Sequence, residues 1–330
     1  MIEVRALAAA DEPAYAAFLE RRPDALLYHS LPYRDLLLEH LRAEAEYLLA
    51  LEGGEIRGVL PTMTRDGILN ALPFYGSHGA PVAASEAARE ALLAAWDERA
   101  AEADAATLVA NPFSPPHRAP RHDAVDERLN QALPAAAGLS QAEPSAARNI
   151  RKAQRLGVAV AREPDALDEL AALHAENMRT LGAPAKDPAF FAAIPRHFGE
   201  DYAVYTARIE GALAAALLVF WSGAAAEYFT PAVAHAHRSA QPLAAILAQA
   251  IPDAAARSLA WFNFGGTGPD NDGLRRFKRK WGARTVRYRS YTKVNDRTLL
   301  QATPAELRAR YGDFYVLPYG LLESLQAWPA

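Results

Sequence analysis

The chain contains no cysteine. That excludes disulfides, thiolate zinc sites and a cysteine nucleophile, and it accords with a reducing compartment. It also lacks an apolar run of the roughly 18 residues needed to cross a bilayer; the best candidate, Ala212–Trp221, is too short. The opening stretch MIEVRALAAADEPAYAAFLE has no cationic region leading into an apolar core. No signal peptide is therefore expected, and the cytoplasm is the expected location, with at most peripheral membrane contact. Positive charge is not in excess either: 35 Lys and Arg stand against 39 Asp and Glu, a net charge of −4. The molecule as a whole is not a polyanion binder, no DNA partner is expected, and attraction to phosphate must come from a local patch.

What is present is the composition of a globular protein: 330 residues, 51% hydrophobic and 22% charged, enough for two domains that each bury a core. Two segments share one layout. EYLLALEGGEIRGVLPTMTRDGILNALPFYG (Glu46–Gly76) and YAVYTARIEGALAAALLVFWSGAAAEYFTPAV (Tyr202–Val233) each read as three strands joined by glycine-bearing turns. Each is preceded by a helical region opening near a proline, and each is followed by an alanine-rich helix and a short apolar strand. This predicts a tandem duplication of one α+β unit. The Pro-, Ala- and Ser-rich stretch between the copies reads as a connector. It sets an N-terminal unit at 1–142 and a C-terminal unit at 143–330, with short helices and loops from Asn295 onward.

The candidate chemistry clusters in the second copy. GGTG (Gly265–Gly268) is followed by neither the Gly-Lys-Ser/Thr of a Walker loop nor a βαβ helix, so it is not a nucleotide loop. Gly265 and Gly266 either let the strand turn into a helix or contact a ligand. Next comes a basic run, Arg275, Arg276, Lys278, Arg279, Lys280, Arg284, Arg287 and Arg289. At helical spacing Leu274, Phe277 and Trp281 share one face, Lys278 borders it, and the other cations point to solvent. The run is either a solvated helix or a phosphate-attracting patch with one lysine held at a pocket mouth. Arg148, Arg151, Lys152 and Arg155 recur at i, i+3, i+4 and i+7, a cationic stripe suited to a diphosphate or to acids elsewhere in the chain. His235 and His237 lack a third ligand at sensible spacing, so no metal is expected. Glu227 and Tyr228 lie on opposite faces of a strand, and one of them faces the cleft. Asp270 and Asp272 read as turn and helix-start residues. Ser77 and His78, being adjacent, do not form a nucleophile–base pair.

The order meander, helix, strand, helix, strand is that of the GNAT acyltransferase fold. The second half further resembles the Fem-like peptidyltransferases (FemA, FemB, FemX), a GNAT branch with two tandem units. The segments carrying the resemblance are SAARNIRKAQRLGVAV, LHAENMRTLGAPAKDPAFFAAI, EYFTPAVAHAHRSAQPLAAILAQAI and FNFGGTGPDNDGLRRFKRKWGA, in order. The resemblance implies an α+β fold of two GNAT-like units, each a mixed, mostly antiparallel sheet flanked by helices, with the acyl donor in the V between the fourth and fifth strands. It implies amide formation on an amine of an anionic cell-envelope or polysaccharide precursor, small or lipid-linked. By position, Lys278 matches an oxyanion-stabilising lysine with Phe277 beside it, and Tyr228 becomes a cleft wall or proton donor. Arg148, Arg151 and Lys152 fall where the acceptor's phosphates bind. Arg238 lies where GNAT enzymes grip a pyrophosphate, although RSAQPLAA has no glycine. No cofactor is permanently bound; the acyl donor is an aminoacyl-tRNA or an acyl-CoA. The rival readings are a CoA-dependent N-acyltransferase and a non-catalytic pair that binds an anionic glycan or a partner. The chain has no long coiled-coil arm of the kind some members are thought to use on tRNA.

Overall fold

The computed structural model describes residues 1–71, 74, 78–268, 271–318 and 320. Ser77 and Asp270 lie outside the described residues. The chain divides into two compact units, Met1–Arg128 with Arg287–Ala330, and Leu129–Val286. Among the described residues no helix is long and apolar enough to cross a membrane.

Unit 1 contains β1 (Ile2–Ala6), α1 (Glu12–Glu20), α2 (Leu31–Leu41), β2 (Glu44–Ala45), β3 (Leu48–Glu52), β4 (Glu55–Leu60), β5 (Met63–Arg65), β6 (Ile68–Ala71), β7 (Val82–Ala83), α3 (Glu86–Glu102) and β8 (Ala105–Val109). Strands β1, β3, β4 and β7 form one antiparallel sheet. The expected meander is broken at Pro61 and Thr62: β4 pairs with β3, while β5 pairs with β6. Proline cannot donate to a ladder, which accounts for the interruption. Strand β6 then pairs in parallel with β8. Helix α3 is alanine-rich and capped by Ser85, whose hydroxyl accepts from the Ala88 N–H. Its Leu92, Leu93 and Trp96 bury against Leu48, Ala50 and Leu108.

Next along the chain come β9 (Ala124–Pro134), α4 (Pro144–Arg155), β10 (Ala159–Arg162), α5 (Leu167–Leu181), α6 (Pro188–Phe198), β11 (Tyr202–Ile209), β12 (Ala212–Ser222), β13 (Ala225–Val233), α7 (Pro242–Ala256), β14 (Trp261–Thr267), α8 (Asp272–Arg279), β15 (Arg284–Val294) and α9 (Pro304–Tyr311). In unit 2 the strand order is β10-β11-β12-β13-β14-β9, antiparallel throughout except for the parallel pair β13–β14. The apolar run Ala212–Trp221 is the central strand β12, continuously buried from Ala214 to Trp221. Covered on both faces, such a strand needs no polar alternation. Leu217, Val219 and Phe262 pack with Ile246 and Leu247 of α7. The two meanders hold equivalent positions, each ending in a strand paired antiparallel to its predecessor and parallel to the strand after a helix.

The division differs from the sequence-based boundary at 142/143. Leu129–Pro134 of β9 pairs with β14 and so belongs to unit 2. Ser290–Val294 of β15 pairs with β8 and so returns to unit 1, taking 287–330 with it. Each unit is thus completed by a strand that follows the other unit's parallel strand in sequence.

Candidate active site

Parallel pairing of β13 with β14 extends only over Ala225–Glu227 and Trp261–Asn263. Beyond Glu227 the strands part. Strand β14 stays paired with β9 on its other edge, through a register shift between Asn263 and Gly266, and β13 carries its own shift opposite Leu218 and Val219. The opening leads into a cavity of about 340 Å³. Tyr228, Pro231 and Val233 of β13 form one wall, Leu274, Phe277 and Lys280 a second, and Arg238, Gln241 and the start of α7 a third. Asn177 of α5 closes the remaining side.

Tyr228 is half-buried, its ring centroid 5.2 Å from that of Phe264. Burial raises its phenol above the usual range, so it remains protonated at neutral pH. Among the described residues its hydroxyl takes no hydrogen-bond partner. Glu227 points the other way: it is 2% exposed and accepts from Asn263 Nδ2 at 2.9 Å, while Asn130 Nδ2 donates to Asn263 Oδ1 at 3.0 Å. Of the pair, Tyr228 is the residue that faces the cavity.

Helix α8 departs from its expected pattern. Trp281, just beyond its end, is buried, but Leu274 is exposed and Phe277 half-buried, and both face the cavity. The buried residue of the helix is Lys278, 2% exposed, where the sequence placed a lysine at the cavity rim. Its Nζ donates to the Gly265 and Gly266 carbonyls at 2.9 Å each and to Thr267 Oγ1 at 2.8 Å. In a regular strand successive carbonyls point to opposite edges. Here they converge because Gly265 adopts a left-handed φ of 72°, forming a bulge. The two glycines therefore do not turn the chain out of the strand, which runs on to Thr267; they build a lysine socket. Burial pushes the lysine pKa down to about 7, while the three oxygen acceptors work the other way and favour the ammonium. Neither Lys278 nor the two glycines line the cavity.

Lys280, read from the sequence as solvent-facing, does line the cavity. Its Nζ lies 4.9 Å from the Phe277 ring centroid, and burial lowers its pKa. Arg238 is exposed on the 3₁₀ segment His235–Ala240 and makes no ion pair among the described residues. The structure thus brings Tyr228, Arg238 and Phe277 together. It adds Lys280 and Asn177, whose role sequence spacing did not signal. Arg148, Arg151 and Lys152 are exposed on α4, which rests on Ala146 and Ala153; they are free of ion pairs among the described residues and do not line the cavity. No group of three or more His, Asp or Glu side chains suited to a metal occurs among the described residues.

In unit 1 the corresponding opening is filled. Beyond Ala71 and Leu108, the last parallel pair of β6 and β8, the buried segment His78–Ala80 occupies the gap. The Ala80 N–H donates to the Val109 carbonyl at 2.9 Å, and His78 Nδ1 lies 3.2 Å from the Ala110 carbonyl. A β-carbon at Gly79 would collide with the Ala71 backbone carbonyl. Gly79→Ala should therefore destabilise unit 1 by about 3 kcal/mol, the upper range for overpacking. Urea unfolding checks this; an unchanged midpoint would mean the segment is not wedged as described.

Residues 142–296 match the family described as Acetyltransferase (GNAT) domain. No curated protein matches the sequence. Among solved structures the chain is similar to FemX, with 14% identity, a TM-score of 0.65, and coverage of 91% of this chain and 99% of that one. It is also similar to the C-terminal domain (DUF2156) of an Agrobacterium fabrum protein described as a lysylphosphatidylglycerol synthetase, with 13% identity, a TM-score of 0.56, and coverage of 91% and 97%. A tandem GNAT protein from the clavulanic acid biosynthesis pathway is similar at 16% identity and a TM-score of 0.51, over 88% of this chain and 98% of that one. The fold is thus that of a tandem GNAT protein, with the architecture of the Fem-like branch. The segment 142–296 is the part of the chain that matches an acetyltransferase domain.

Proposed function

We propose that unit 2 transfers an acyl or aminoacyl group to an amine on an anionic cell-envelope or polysaccharide precursor, with a cytoplasmic location. The observation that carries this reading is the opening between β13 and β14. A protonated phenol stands on its wall, and two cations, Arg238 and Lys280, flank it. In amide formation the amine nitrogen attacks the acyl carbonyl carbon. A tetrahedral oxyanion forms, and its collapse breaks the bond to the leaving group. The nitrogen gives up a proton and the leaving oxygen or sulfur accepts one. Tyr228, held protonated, supplies a hydrogen bond to the oxyanion or a proton to the leaving group. Arg238 and Lys280 hold an anionic part of the donor, and the stripe Arg148–Arg151–Lys152 attracts the acceptor's phosphates.

The test is direct. Purified protein is incubated with aminoacyl-tRNA or acyl-CoA donors and amine-bearing nucleotide-linked precursors, and the mixture is assayed for a new amide by mass spectrometry. If no donor yields an amide, the reading fails. Within this scheme Arg151→Glu should weaken acceptor binding about tenfold and flatten its dependence on ionic strength, because a charge-assisted contact is lost. Affinity that is unchanged across salt concentrations would reduce the stripe to a solvated helix face.

A further inference from the structure

We infer that Asn177 is a specificity residue that closes the free edge of β13 to acyl donors carrying an amide-bearing arm, coenzyme A thioesters above all. The inference rests on the acyl-transfer reading. It begins from the backbone of β13 where β14 has left it. The Ala234 N–H donates to the Ala214 carbonyl next to β12, so at that residue the strand bonds inward. Successive residues alternate, so Val233 and Pro231 direct their backbone groups to the opposite edge, the one facing the cavity. An arm with amide groups, such as the pantetheine of coenzyme A, would bind such an edge as an added strand, through backbone N–H and C=O.

Both positions are closed to that pairing. The Val233 N–H donates to Asn177 Oδ1 at 3.0 Å, and Asn177 Nδ2 donates to the Val233 carbonyl at 3.1 Å. The side-chain amide thus takes the place of one residue of a missing strand. Two residues back, Pro231 has no N–H to offer. The phosphate end fits no better. Gln241 caps α7 in the left-handed region, and Pro242 at the first helical position removes an amide from the helix N-terminus. The cavity accepts a donor held by its charge on Arg238 and Lys280 and by apolar contact with Phe277 and Leu274, without strand pairing.

The experiment compares the full-length protein with Asn177→Ala, Pro231→Ala and the double variant, using acetyl-CoA as the calorimetric probe. Asn177 is half-buried and Pro231 lies on an open edge, so both changes leave the core untouched. Each variant should bind acetyl-CoA more tightly than the wild type, and the double variant at least about tenfold more tightly, as expected for recovered hydrogen bonds. Amide exchange at Val233 should be fast in Asn177→Ala and slow again with acetyl-CoA bound. The inference is overturned if the wild type binds acetyl-CoA as tightly as the double variant. A double variant with a wild-type melting temperature and no gain in affinity overturns it equally. Binding is read without turnover, so a failure of the protein to form any amide would sink the acyl-transfer reading and leave this edge assignment intact.

Discussion

Lys278→Met should lower the stability of the chain by about 3 kcal/mol and cut turnover about 100-fold, the two losses appearing together. Methionine keeps the length of the side chain but abandons the Gly265 and Gly266 carbonyls and the Thr267 hydroxyl, all of which accept from Nζ. The bulge they define fixes how β14 diverges from β13, so a small shift there misplaces the cavity wall. Lysine acts here as a positioning residue. The effect should therefore fall on kcat with KM little changed. The protonation state gives a second readout. The folded-state pKa is about 7 against an ordinary 10.5, so between those values the unfolded chain holds a proton that the folded chain has released. Stability contributed at this site must then rise with pH through that window. The slope should vanish in Lys278→Met. A variant that keeps full stability and full turnover would show that the socket does not set the cavity wall.

Much of the fold was legible because it is set by local chemistry. Glycine-bearing turns at Gly53–Gly54, Gly67, Gly211 and Gly223 fall between observed strands, and the parting strands are those expected. The unit boundary was not legible. The stretch 129–134, LNQALP, mixes apolar and polar residues in a way that names no sheet, and its partner β14 lies far along the chain. Three features of the site were hidden for different reasons. Leu274 and Phe277 look like a core-facing stripe because a helix pattern cannot separate a core from a cavity wall. Lys278 looks exposed because its burial depends on a backbone bulge 12 to 13 residues earlier in the chain. Asn177 carries no motif at all; its role exists only because its amide meets the Val233 backbone 56 residues away.

Tyr228→Phe should reduce kcat about 100-fold with little change in KM, the loss expected when one positioned proton or hydrogen-bond donor is removed. The ring stays, so its contacts with Phe262 and Phe264 and the shape of the cavity wall are preserved. The hydroxyl has no partner among the described residues, so its removal strands no protein group, and stability should hold within about 0.5 kcal/mol. This separates the variant from Lys278→Met, where stability and turnover fall together. The pH profile sharpens the assignment. A donor must be protonated, so activity that depends on Tyr228 is lost as pH rises through its pKa. Burial has moved that pKa above the ordinary 10.0, so the phenol contributes no inflection near neutrality, and its limb lies at the alkaline extreme. In the phenylalanine variant the residual activity should lack that limb. Turnover that survives the loss of the hydroxyl would leave Tyr228 as a wall only, and the donor would then have to be sought among Arg238 and Lys280, the cations that share the cavity.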